Sequence, residues 1–186
     1  MSSLRRLILL LPWAALAACS DSNSLADPTE ENTVEENTVG SLTDTPITTA
    51  SGYSIATGPI RIDQSTEFDF AFDIEGDAAT GQAILLPRAA LGIPSTGSAD
   101  PGIQKSTEAF DNIDEAPSNG YITDAAVPVA VGDRLLVRSR VLCSIGVPLY
   151  AKMEVLSIED GSIQFKVLAD QNCGYRGLVP DSIPPN

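Results

Sequence analysis

Three arginines, Arg134, Arg138 and Arg140, fall on one side of the alternating run Arg134-Leu135-Leu136-Val137-Arg138-Ser139-Arg140-Val141-Leu142. A guanidinium offers a planar fork of N–H donors that matches a carboxylate or another planar anion. A stripe of three can therefore hold an anionic ligand, or it can pair with carboxylates on a neighbouring strand. Asp69 and Asp73, which alternate with apolar residues in Glu67–Glu75, are the carboxylates placed to meet it. Tyr121, in the loop-like Gly120-Tyr121, and Tyr150 add rings and hydroxyls to the same set. These five residues are the candidate ligand contacts.

Other chemistry is excluded by composition. The chain has 186 residues and no histidine. No Ser-His-Asp or Cys-His catalytic centre, no His-containing zinc or blue-copper site and no bis-histidine haem ligation can be assembled from it. A formal charge of −14 opposes nucleic-acid binding, which needs a basic face against phosphate. Two acidic clusters, Asp73-Ile74-Glu75-Gly76-Asp77 and Asp111-Asn112-Ile113-Asp114-Glu115, carry oxygen donors that suit weak calcium binding. The glycine of the first stands at the wrong place for an EF-hand loop, and both read as a solvated strand end and a turn. No metal site, resident cofactor or catalytic residue is assigned, and the expectation is a protein that is not an enzyme.

The elements that must position these residues start after an export signal. Residues 1–18 carry Arg5 and Arg6, then an apolar stretch from Leu7 to Ala18 interrupted by Pro12. That is too short for a membrane-spanning helix, which needs about 20 residues. Leu16-Ala17-Ala18-Cys19 resembles the lipobox of bacterial lipoproteins, which implies cleavage before Cys19 and lipidation of its thiol and new amine. The residue after it is Ser20 rather than Asp, which by the sorting rules of Gram-negative lipoproteins implies the outer membrane. Residues 19–50 then read as the lipidated Cys and an acidic, disordered linker with no basic residue. A tandem Glu-Glu-Asn-Thr-Val at 30–34 and 35–39 lies inside it, and it reads as a duplication in an unconstrained spacer. Lipidation of Cys19 leaves Cys143 and Cys173 to form a disulfide, which an exported protein can keep oxidised.

Residues 51–186 alternate with period two and show no sustained helical period. Phe68, Phe70, Phe72 and Ile74 share one face of a strand whose other side is wet. Leu149, Ala151, Met153 and Val155 face one way, with Tyr150, Lys152 and Glu154 opposite; Ile163, Phe165 and Val167 alternate likewise after Asp160-Gly161. Asp-Gly between two such runs predicts a tight hairpin. Ser54–Ile62 and Tyr121–Val131 are further strand candidates, with Pro59 and Pro128 marking edges or bends. The expected fold is all-β, an antiparallel sheet domain (sandwich or partly open barrel) behind a disordered N-terminal tether.

Four segments in series resemble the HmuY-like haem-binding lipoproteins. They are Phe68-Asp69-Phe70-Ala71-Phe72; the stretch from Phe110 through Ala116-Pro117 to Gly120-Tyr121; Leu136-Val137-Arg138-Ser139; and Tyr150-Ala151-Lys152-Met153-Glu154-Val155. The resemblance spans about residues 65–170 and implies an all-β domain anchored to the outer membrane. It implies haem only through ligands other than histidine, namely Met153 or the tyrosines Tyr53, Tyr121, Tyr150 and Tyr175. The expected function is a membrane-anchored, disulfide-stabilised binding module for a small molecule. The alternatives are a structural or assembly lipoprotein binding an envelope protein, and tetrapyrrole binding through non-His ligands.

Overall fold

The computed structural model describes residues 25–77, 80–93 and 99–185. The export segment, Cys19 and the first residues after it lie outside the described residues, so the expected anchor does too. Ten strands follow one another: β1 Val34–Gly40, β2 Gly52–Ser54, β3 Gly58–Ile60, β4 Phe70–Glu75, β5 Gln82–Pro87, β6 Gly102–Ser106, β7 Val127–Pro128, β8 Arg134–Val141, β9 Pro148–Glu159 and β10 Ser162–Asp170. They form two antiparallel five-stranded sheets, β1-β10-β9-β8-β6 and β3-β2-β4-β5-β7, packed as a sandwich and not closed into a barrel.

The first sheet is built on the hairpin that Asp160-Gly161 predicts. Both turn residues have positive φ, 49° and 73°, the geometry that matches the twist of the flanking strands. Odd-numbered residues of β10 and β9 point inward: Ile163, Phe165, Val167, Ala151, Met153 and Val155 are all in the main core. From the other sheet Phe70, Phe72, Ile74 and Leu85 meet them. Tyr53 links the two, its ring centroid 5.4 Å from Phe70 and 5.0 Å from Phe165. Aromatic packing of this kind contributes beyond the area it buries.

Several sequence expectations need correction. The stretch read as linker holds β1, which pairs with β10 over its whole length, Val34 against Leu168 through Gly40 against Ser162. Folded contacts reach further back: Thr29 and Glu30 donate their backbone N–H groups to Asn172 Oδ1 at 2.8 and 2.9 Å. Acidic composition hid a strand because it is an edge strand, where charge is tolerated and blunts further pairing. The pentapeptide repeat is therefore structural. A five-residue period on a two-residue pleat turns equivalent positions to opposite faces. Asn32 of the first copy is buried under the C-terminal tail, donating to Gly177 O and Val179 O, whereas Asn37 of the second copy faces Tyr53, within 3.5 Å of its hydroxyl.

The wet side expected for Glu67–Glu75 is only partly wet. Asp69 and Ala71 are buried, whereas Glu67 and Glu75 are exposed and Asp73 is partly so. The run Ser54–Ile62 is turned between β2 and β3, and of Tyr121–Val131 only Val127–Pro128 is a strand. Cys143 and Cys173 are joined, with Cα atoms 5.8 Å apart. The bridge ties the turn after β8 to the segment after β10 at one end of the sandwich.

Candidate functional site

The outward face of the first sheet is the unexpected part of the molecule. In β9 and β10, Tyr150, Lys152, Leu168 and Asp170 point away from the main core, yet each is less than 9% exposed. Two irregular segments cover them: residues 107–123, which cross the sheet, and the tail 174–185. Phe110, Ile113, Ala116, Leu136, Tyr150, Leu168 and Leu178 make a second apolar cluster there, with Tyr121 against it. Alternation in the sequence correctly separates the two faces of each strand, but it carries no information about a loop folding back over the polar one.

The candidate arginines do not stay together. Arg134 donates from Nη1 to Gly132 O at 2.6 Å and from Nε to Glu108 O at 3.1 Å, near the start of β8. Between Arg138 and Val141 the pairing of β8 with β9 loses register. Arg140 leaves the stripe there and reaches beside the other sheet. Its backbone N–H and its Nη1 both donate to Asp69 Oδ1, at 2.9 and 3.2 Å, and its Nη2 lies 3.0 Å from Glu67 Oε2. Asp69 Oδ2 accepts from the Ile55 N–H at 2.8 Å. Burial pushes the Asp69 carboxyl up, and these donors pull against it. Asp73 accepts instead from Thr43. Arg140 is thus an inter-sheet clasp, paired with Asp69 as the sequence allows, and the three arginines do not form one continuous stripe.

Arg138, Tyr121 and Tyr150 are brought together. The Arg138 guanidinium carbon sits 4.9 Å from the centroid of the Tyr121 ring, and its Nε and Nη2 donate to Asp100 O at 3.3 and 2.9 Å. Tyr121 and Tyr150 have centroids 6.4 Å apart. The Tyr121 hydroxyl donates to Pro117 O at 2.9 Å. Burial raises its pKa, the Tyr150 phenol adds to this, and the Arg138 and Arg176 charges oppose it. Tyr121 therefore lies within the field of two guanidiniums. Gly102 lets it pack close, since a Cβ there would stand 2.7 Å from the Tyr121 Cβ.

Beside this group an open groove of about 580 Å³ runs between β6 and the 113–117 loop. Gln104, Ser106, Ile113, Glu115, Leu136 and Arg176 line it. Arg176 bonds Glu115 Oε1 at 2.5 Å and Ala116 O at 3.1 Å. Gln104 Oε1 is buried and meets no hydrogen-bond donor among the described residues. Gln104 was not singled out from the sequence, and only the crossing of 107–123 over β6 makes it part of a site.

Lys152, on the face opposite the main core, is fully buried. Its Nζ donates to Ile113 O at 2.9 Å and lies 4.7 Å from the Phe110 ring centroid, which Lys166 Nζ approaches to 4.3 Å. Burial lowers its pKa, against the opposing pull of Asp114 and Asp111. The folded chain then releases this proton at a lower pH than the unfolded chain. The unfolded state binds more protons between the two values, so stability rises as pH climbs from the folded value towards the ordinary lysine value of about 10.4. K152M is expected to lack that rise. Urea midpoints of both proteins, taken from neutral pH to about pH 10, check it as the difference between the two curves.

Met153 is fully buried in the main core; Tyr53 is nearly fully buried there too, and lines a separate cleft with Asn37, Ile55 and Gln171, away from the other candidate residues. Tyr175 is buried beside the tail. Asp111 and Asp114 sit near Lys152. Among the described residues no three His, Cys, Asp or Glu side chains come close enough together to hold a metal ion. Comparison with protein families, with curated proteins and with solved structures returns no match.

Proposed function

We propose that this chain is a lipid-anchored, non-enzymatic envelope protein, most consistent with the outer membrane, whose β domain is a binding module. Its ligand site is the groove beside Arg138, Tyr121, Tyr150 and Arg176. The observation that carries the reading is convergence: β6, the 113–117 loop and the segment after β10 send Gln104, Ser106, Glu115 and Arg176 to one open concavity that Leu136 of β8 also lines, and Arg138, Tyr121 and Tyr150 cluster beside it. The groove sets an apolar patch of Ile113, Ala116 and Leu136 among directed polar groups, the combination a binding site needs to hold and orient a small molecule. The two guanidiniums and the Tyr121 ring favour a ligand that carries a carboxylate on a flat apolar body. The lipobox at Leu16–Cys19 and the HmuY-like segments support the anchored-module reading, and with it the place of the domain in the envelope.

Calorimetric titration of the mature protein with benzoate, and separately with haem, tests it. Binding of benzoate is expected, weakened by about tenfold in R138A, as befits one charge-assisted hydrogen bond. No heat with benzoate, or equal affinity in R138A, overturns the site. A Soret shift on haem addition that survives in R138A but is lost in Y121F or Y150F would move the function to tetrapyrrole binding through tyrosine.

A further inference from the structure

Resting on the reading that Cys19 is lipidated, we infer that one end of the sandwich is a lipid-docking surface, which holds the domain against the bilayer in a fixed orientation. The folded body begins far closer to Cys19 than a linker to residue 50 would allow. Leu25 already packs into it, its Cδ atoms beside Gly174, where a Cβ would meet Leu25 Cδ2 at 2.8 Å and Val147 Cγ2 at 3.1 Å. Leu25 stands six positions after Cys19. Six fully extended residue steps span at most about 20 Å, so the acylated end and this pole of the domain share one membrane surface.

The pole is suited to that position. Around Leu25 a groove of about 580 Å³ is lined by Gly174, Tyr175, Val179, Pro184 and Pro185, and more of its lining is apolar than polar. Ile145 in the turn after β8, Val179 and Ile183 are 49%, 42% and 52% exposed. Large apolar side chains exposed around a chain's point of attachment have a ready occupant in the lipid interface. Lipid on both the thiol and the amine of Cys19 would anchor the chain by itself, so a second apolar contact beside it fixes orientation more than affinity. The disulfide joins the two segments that carry Ile145 and Gly174, so the docking face is braced. The opposite pole, about 25 Å away along the eight residues of β8, carries Val131, also exposed, at 61%.

The mature chain contains no tryptophan, since Trp13 is the only one in the sequence. Single tryptophans placed at I145W, I183W and V131W therefore report position cleanly. Each lipidated protein is reconstituted in phosphatidylcholine vesicles containing lipid brominated high on the acyl chain. The I145W and I183W proteins are expected to lose most of their emission, and V131W to keep its own. Equal quenching at all three positions, or none at Ile145 and Ile183, overturns the orientation. Intact mass of the N-terminal peptide is read on the same samples. An unacylated Cys19 would instead sink the anchoring reading, and the inference with it.

Discussion

D69A is expected to destabilise the domain by about 3–5 kcal/mol, a large share of what holds a domain of this size together. Asp69 is 1% exposed and accepts from Ile55 N, Arg140 N and Arg140 Nη1. Truncation leaves two buried backbone donors without an acceptor and strands the Arg140 guanidinium, which keeps only the exposed Glu67 carboxylate. D69N keeps an acceptor oxygen at the same place and loses the charge, so it should cost less. The double variant D69A/R140M should recover part of the loss, because removing both charges removes the uncompensated one. Urea midpoints of the parent, D69A, R140M and D69A/R140M form a double-mutant cycle. An additive double variant would show that the two residues do not act as a pair.

The second large effect is expected from C143S/C173S. The bridge closes a loop of sequence separation 30. In the chain-entropy account such a loop contributes about 3–4 kcal/mol by restricting the unfolded chain. The loss should appear as a lower midpoint of urea unfolding with the strand content of the far-UV spectrum retained. A reductant titration of the parent protein should reach the same endpoint. Unchanged stability in both would mean that the bridge ties ends already fixed by β9 and β10.

What could be read from the sequence divides along physical lines. The hairpin of β9 and β10 was legible because its signal is local: two alternating runs and an Asp-Gly turn. β8 and β4 were legible for the same reason, within a few residues at their ends. β5 and β6 were not, because Gln82–Pro87 is a short, mostly apolar run without alternation and Gly102–Ser106 is short, polar and on an edge. β1 was lost to composition, since seven residues that look like spacer become a strand only when β10 is there to pair with. Of the candidate ligand contacts, the structure brings some together and separates others. Arg138, Tyr121 and Tyr150 meet, but Arg140 departs at a register break that no local pattern announces. Lys152 and Gln104 acquire their roles from a covering segment whose path depends on the packing of Phe110 and Ile113, which have no periodicity to betray it.

The pentapeptide repeat has a consequence for how this chain can change. A third copy inserted ahead of the existing two would leave β1 and its pairing with β10 as they are. It would lengthen the lead-in and carry Leu25 away from Gly174. Loss of a copy is another matter, because it would slide Asp27 into the place of Asn32. The Asn32 Nδ2 donates to two carbonyls there, and a carboxylate can donate to neither. Copy number in this segment therefore works as a ratchet. Slippage can add units at the expense of a looser attachment, while removing one opens the seam between the first strand and the C-terminal tail.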